Sequence, residues 1–281
     1  MTVTEPGVYD GMPDAEYHAD PVPGGSLSST GARRLLPPSC PARYKYEQDH
    51  PPESTTTFDI GTAAHSLILG AGRPIVAVDA DDWRAKAARD EREAIRDTGA
   101  VPLLRAEYAQ VRAMAAAIRE HPLATALLDP AGGKPEQSLF WVDVTGTWLR
   151  ARIDWLPGTD SRRRMIAVDY KTTSSASPGA FAKSVASFGY HQQAAQYADG
   201  IRALGLDADP AFLFIAQEKT PPYLVTVFEL DAAAMQAGRA LNRRAIEIYR
   251  DCTESGIWPG YSQDIELISL PPWAARIEEY A

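Results

Sequence analysis

The most regular alternation of apolar and polar positions in this chain runs through residues 149–156, Leu-Arg-Ala-Arg-Ile-Asp-Trp-Leu, and stops at Pro157-Gly158. A period of two predicts a strand with one face buried. A basic turn follows at 160–164. The apolar run 165–168, Met-Ile-Ala-Val, then predicts a short buried strand that Thr172 and Thr173 prolong. Upstream, Glu136 opens another run through Val144, and a Gly146-Thr147 turn leads back to residue 149, so three antiparallel strands are expected in order.

Helical spacing dominates elsewhere. Ser28 or Ser29 is suited to cap a helix through Leu36 that Pro37-Pro38 ends, and a second short helix covers 41–47. Asp59 is placed to cap the helix carrying 61–69, with Ile60, Ala64, Leu67 and Ile68 as its buried stripe. Residues 75–78 predict a strand, 81–97 a helix closed by Gly99, and 104–121 a helix ended by Pro122, with a turn at 129–135. Beyond the three-stranded core come a polar loop at 174–178 and helical residues 181–204, broken near Gly189. A hairpin of 211–217 and 223–230 turns over 219–222. Asp231 caps a long helix that ends at Gly256 and buries Met235, Leu241, Ala245, Ile248 and Cys252. Residues 1–25 read as an irregular arm with one short turn at 12–18, 48–57 as a polar loop, and the tail from Trp258 as irregular and aromatic.

With 281 residues, 45% hydrophobic and 23% charged, the chain has enough apolar material for one sizeable core. A single domain over 1–281 is expected: arm 1–25, helical region 26–130, catalytic core 131–255 and tail 256–281. Cys40 and Cys252 are too far apart in sequence to form a metal-spaced pair, which argues against zinc and against an iron–sulfur cluster. There is no apolar run of about 18 residues and no signal peptide, so a cytoplasmic protein with reduced thiols is expected. The net charge of −9 argues mildly against tight nonspecific DNA binding and is compatible with a channel whose inner wall alone is basic. Arg33, Arg34, Arg43 and Lys45 make one region locally basic, either as a solvated helix face or as a DNA contact. On 81–97, Glu91 and Glu93 among the basic residues favour intrahelical ion pairs.

The candidate chemistry lies in the core hairpin. Asp154 is in its first strand, and Asp169 and Lys171, two apart, share one face of its second. A hairpin of this length brings Asp154 beside Asp169. Two carboxylates and an ammonium on one face suit metal-assisted hydrolysis of a phosphodiester: Mg²⁺ takes carboxylate, phosphate and water oxygens, and a lysine orients the water or stabilises developing charge. The alternative is a surface hairpin with an Asp–Lys ion pair. Glu136 is either a third acidic group at the site or a strand-edge charge, and His65 either a packed side chain or a ligand. Gln193 and Tyr197 lie one helical turn apart on one face.

Asp154 followed by Asp169-Tyr170-Lys171 resembles the PD-(D/E)XK nuclease superfamily, with Asp in place of its second acidic Glu. Gly61-Thr62-Ala63-Ala64-His65 resembles the G-T-x-x-H element of its recombination nucleases, and Gln193-x-x-x-Tyr197 their following helix motif. Gly-Tyr-His-Gln-Gln at 189–193 and Leu-Pro-Pro-Trp-Ala at 270–274 are similar to the exonuclease VIII (RecE-like) group of phage and prophage nucleases. The likeness runs from about Tyr17 to Trp273. It implies an α/β fold of the PD-(D/E)XK nuclease core, a central mixed β-sheet flanked by helices. It implies a Mg²⁺-dependent exonuclease, with Mn²⁺ as substitute, that resects linear duplex DNA from 5′ ends, leaving 5′-phosphates. Metal ligands would be His65, Asp154, Asp169 and the Tyr170 carbonyl, with catalytic roles for Asp154, Asp169, Lys171, Glu136, Gln193 and Tyr197. Partners would be DNA ends, a RecT-like single-strand annealing protein and further copies in a ring. There is no phosphate loop of the G-x-x-x-x-G-K-[ST] type, so no ATP is expected. An endonuclease or helicase-associated nuclease of the same superfamily, and a nonenzymatic DNA-end-binding module, are the alternatives.

Overall fold

The computed structural model describes residues 1–50, 59–158 and 164–271. The core meander is as expected: β5 (Gly133–Val142), β6 (Trp148–Pro157) and β7 (Ile166–Thr173) pair antiparallel in order. β8 (Ala211–Glu218) joins β7 in parallel, and β9 (Val225–Glu229) closes the edge antiparallel. On the other side the chain start adds β1 (Gly7–Tyr9) to β5, and β2 (Leu27–Ser28) pairs in parallel with β6. Among the described residues these form a mixed seven-stranded sheet with the order β1-β5-β6-β7-β8-β9 and β2 beside β6.

Helices cover both faces, which is why β6 and β7 are buried well beyond simple alternation. On one face Leu139, Ala151, Ile153 and Phe214 pack against α2 (Ser29–Leu35), α8 (Pro178–Phe188), α9 (Tyr190–Ala203) and α10 (Ala232–Ser255). On the other, Trp155, Val168, Tyr170 and Ile215 pack against α4 (Asp59–Leu69), α6 (Arg105–Glu120) and α7 (Pro122–Leu127). Ile153 faces the first core and Trp155 the second, so the alternation breaks at Asp154. Opposite it, between the pairs Pro135↔Trp155 and Gln137↔Ile153, Glu136 has a φ of 54°. A left-handed backbone at a non-glycine strand residue is strained and re-aims its side chain.

Local chemistry explains the boundaries. Ser28 caps α2 by accepting from Gly31 N–H at 3.1 Å, and Asp231 caps α10 by accepting from Ala234 N–H at 2.7 Å. Gly189 (φ 69°) separates α8 from α9, and Gly256 (φ 71°) ends α10. Buried amides tie the layers: Gln196 donates to Leu27 O at 3.0 Å, and Gln217 accepts from Tyr170 Oη at 2.6 Å while donating to Met114 O at 2.9 Å.

Several expectations change. The arm is more ordered than expected: the short turn at 12–18 is α1 (Asp14–His18), but β1 was not expected, and Val3, Met12, Tyr17 and Val22 pack on Phe140. The helical region, where α3 (Pro41–Asp49) also lies, contains a separate parallel pair, β3 (Ile75–Val78) and β4 (Val101–Leu104). The expected helix at 81–97 begins later, as α5 (Lys86–Asp97). Pro122 does not only end α6; it starts α7, where a missing N–H is harmless. The turn at 129–135 already contains the start of β5. Asp59 lies inside α4 and accepts from Arg96 at 2.8 Å instead of capping the helix. On α10, Leu241 is exposed, and Gly238, Asn242, Ile246 and Tyr249 join Ala245 and Cys252 in the buried face. Most of the 48–57 loop, most of the basic turn at 160–164 and the motif around Trp273 lie outside the described residues.

Candidate active site

Three adjacent strands each bring one carboxylate to the same place. Glu136 lies across from Asp154 between flanking β5–β6 pairs, and Asp154 and Asp169 are each one residue from the Trp155↔Val168 pair that joins β6 to β7. α4 packs on β7 with Gly61 facing Thr172; a Cβ there would lie 3.4 Å from Thr172 Oγ1, an ordinary contact. Its His65 is thereby placed between two of the acids. Nδ1 is 3.1 Å from Glu136 Oε1 and Nε2 is 3.1 Å from Asp154 Oδ2. Ala63 and Ala64, fully buried in the second core, seat this helix against the sheet.

Asp154 Oδ2 also accepts the main-chain N–H of Tyr170 at 2.7 Å. Asp169 is almost completely buried; Gln193 Nε2 donates to its Oδ1 at 2.6 Å, and Lys171 Nζ lies 2.7 Å from its Oδ2. The ammonium is therefore the close ionic neighbour of Oδ2. Lys171 Nζ also sits 5.1 Å from the centre of the Tyr190 ring. Tyr197 is buried on the same wall. The Tyr170 side chain turns away toward Gln217, leaving only its main chain at the site.

The electrostatics follow from this packing. Burial pushes the His65 imidazole down, but the Asp154 carboxylate, with Glu136 and Asp169, outweighs it and raises the pKa to about 9. Burial pushes Asp154 up, but His65, Lys171 and the Tyr170 N–H together hold it below the usual carboxylate range. Asp169 goes the other way: burial and the neighbouring Asp154 raise it to about 6, against Lys171. Burial would neutralise Lys171, yet Asp169 and Asp154 keep it an ammonium well above the ordinary lysine range.

His65, Glu136 and Asp154 each offer a ligand atom, all within 4.8 Å of one another. Carboxylate oxygens are donors that Mg²⁺ and Mn²⁺ accept, imidazole suits the later first-row divalent metals better, and the buried Asp169 Oδ2, paired with Lys171, is a further oxygen at the same row. The residues therefore fit a divalent metal. Glu136, left open between two roles by the sequence, stands in this donor group. Asp169 stands beside it, bound instead to Gln193 and Lys171.

One participant was not singled out from sequence. Arg152 Nε donates to Glu136 Oε2, its Nη1 donates to Met12 O at 3.0 Å, and its guanidinium lies 5.6 Å from the Tyr17 ring centre. It lies two residues before Asp154 on β6, opposite Ser138 of β5, which sets it beside Glu136. A cavity of about 770 Å³ opens over the whole group and is lined by Ser29, Arg34, Arg73 and Tyr197 among others. A larger one, about 1100 Å³, lies near the far end of the hairpin by Asp129, Met165 and Asp209 and holds none of these groups.

A family model described as "PDDEXK-like domain of unknown function (DUF3799)" matches residues 28–271. The chain belongs to this PDDEXK-like family. The mixed sheet flanked by helices matches a PDDEXK-like nuclease fold. Among solved structures, a "Putative exonuclease" from Eubacterium rectale matches with a TM-score of 0.62 and 12% sequence identity, covering 99% of this chain and 99% of that one. At that identity the likeness is one of fold. The structure of SSO0001 gives a TM-score of 0.27 at 15% identity, covering 68% of this chain and 86% of that one, too distant to add to it. No curated protein matches the chain. No helix among the described residues is long and apolar enough to cross a membrane.

Proposed function

We propose that the chain acts as a single domain, a metal-dependent nuclease that hydrolyses DNA phosphodiesters from the ends of linear duplexes. The observation that carries this reading is the row Glu136, Asp154, Asp169 on adjacent strands, with His65 inserted from one side and Lys171 from the other. His65, Glu136 and Asp154 would hold the metal, with Asp169 and the Tyr170 carbonyl as further oxygens. A bound Mg²⁺ polarises phosphorus and makes a bound water more acidic.

The chain's own residues supply the rest. Lys171 is kept cationic by Asp169 and Asp154, so its role is to orient the attacking water and to stabilise charge growing on the phosphate oxygens. Gln193 fixes the rotamer of Asp169, and Arg152 fixes that of Glu136. Tyr197 and Gln193 form the wall against which the strand is positioned. Support for an exonuclease in particular comes from the motif resemblance and from a fold neighbour bearing that name. On the same basis we propose 5′-to-3′ resection in phage-type recombination, a ring of identical subunits and delivery of the product strand to a RecT-like annealing protein.

The test is digestion of linear and covalently closed circular duplex DNA, in Mg²⁺ or EDTA, by wild type and Lys171→Ala. Loss of linear DNA alone, requiring both Mg²⁺ and Lys171, is the expected outcome. Cutting of the closed circle would replace the exonuclease by an endonuclease, and retained DNA binding without turnover would make the domain a binding module.

A further inference from the structure

The cleft does not end at the carboxylates. A smaller cavity of about 470 Å³ adjoins the first, and Asp14, Gly72, Arg73, Glu136 and Arg152 line both, so the two meet at the acidic row. Nearly every cation along this path is neutralised. Arg34 pairs with Glu47 at 3.0 Å and Lys171 with Asp169 at 2.7 Å, while Arg150 pairs with Asp20, Arg152 with Glu136 and Lys134 with Asp10.

Arg73 is the exception. Among the described residues no carboxylate lies within ion-pair distance of its guanidinium; its Nε donates to Gly99 O at 2.7 Å and its Nη2, more weakly, to Ala100 O at 3.4 Å. Those carbonyls belong to the turn between α5 and β4. Val101 N–H donates to Pro74 O at 2.7 Å and locks that turn against the residue after Arg73. Gly72 has a φ of 108°, and a Cβ there would lie 2.8 Å from Ser66 Oγ, so this loop is drawn tightly onto the helix that carries His65. The loop leading into β3 thus holds a half-buried guanidinium in one direction, with no carboxylate in ion-pair contact among the described residues and Asp14 as a more distant acid, where two cavities join.

A guanidinium fixed by carbonyls and lacking a carboxylate is suited to phosphate oxygens, which accept its remaining donors with charge assistance. We propose that Arg73 grips a backbone phosphate of the nucleic-acid strand, other than the one at the carboxylates, as the strand passes from the larger cavity into the smaller. This rests on the reading of the site as a phosphodiesterase. It gives the β3–β4 unit a purpose: it sets the path of the strand beyond the scissile bond.

Arg73→Gln keeps a donor for the carbonyls and removes the charge, and Arg73→Lys keeps the charge without the fork. Binding of a fluorescent single-stranded oligonucleotide and of a linear duplex is measured in EDTA across a salt series, with Mg²⁺-supported KM and kcat and the melting temperature alongside. Arg73→Gln is expected to weaken binding about tenfold. It should also reduce the salt slope on the single strand by about 0.7, as loss of one phosphate contact does. KM should rise more than kcat falls, with melting near wild type. Arg73→Lys should retain the slope, and it decides the matter if the Gln variant does not fold. Unchanged affinity and slope, or a wild type that binds neither DNA, overturns the proposal. Binding through Arg73 with no Mg²⁺-supported turnover overturns the nuclease reading and leaves the grip standing.

Discussion

Three carboxylates on neighbouring strands repel one another unless positive charge is interleaved, and here His65, Arg152 and Lys171 provide it. The histidine matters most for pH. Its folded pKa of about 9 lies above its ordinary 6.5, so the stability it contributes is complete below about 6.5 and is lost as pH rises through about 9. The metal-free protein should therefore melt lower at pH 9 than at pH 6.5 in EDTA, and His65→Gln should flatten that slope. A metal must displace the same proton, so Mn²⁺ affinity should rise over this range, with proton release measurable by calorimetry in buffers of different ionisation enthalpy. Asp169 and Lys171 were legible as one face through strand alternation, and Asp154 through the length of the hairpin, since the alternation itself breaks there. Arg152 went unread, since an arginine in a strand carries no signature of its own. Glu136 stayed ambiguous because its role depends on a positive φ and on a helix nearly 70 residues earlier in the chain.

Packing of whole elements holds this constellation in place, and the tightest joint is between α9 and α10. A Cβ at Gly238 would lie 2.1 Å from His191 O, which is main chain and cannot rotate away. Gly238→Ala should force the helices apart, costing about 3 kcal/mol by chemical denaturation. Because α9 carries Gln193, it should also lower activity although Gly238 lines no part of the cleft. The long helices were readable because capping and turn residues mark their ends: Ser28, Asp231, Gly189 and Gly256 all act as their chemistry suggests. β1 and β4 were not: β1 has three residues and a partner far along the chain, and β4 carries Pro102, which reads as a break in a strand. The buried face of α10 was misjudged at Leu241 because glycine and asparagine, not larger apolar residues, meet α9.

At the scale of the molecule, the net charge of −9 and the pairing of most cleft cations bear on how the proposed DNA substrate would be engaged. With few uncompensated cations, the metal-free protein should bind DNA weakly and with a shallow salt dependence. Metal should strengthen binding by cancelling the acidic row; fluorescence anisotropy with Ca²⁺, which binds oxygen ligands but often supports little hydrolysis, would read this directly. The buried Arg150–Asp20–Ser26 network fastens the N-terminal arm to β6 beside the site. Asp20→Ala should therefore destabilise the fold by about 3 kcal/mol, because it strands a buried guanidinium. The most direct measurement is hydrolysis of a labelled linear duplex by protein stripped of metal and then titrated with Mg²⁺, comparing wild type with Asp154→Asn. Nucleotide release that depends on Mg²⁺ in the wild type, and falls by about 10³-fold or more in a folded Asp154→Asn, is expected. Equal release by both proteins, or release unaffected by EDTA, would contradict a metal-dependent nuclease built on this row of carboxylates.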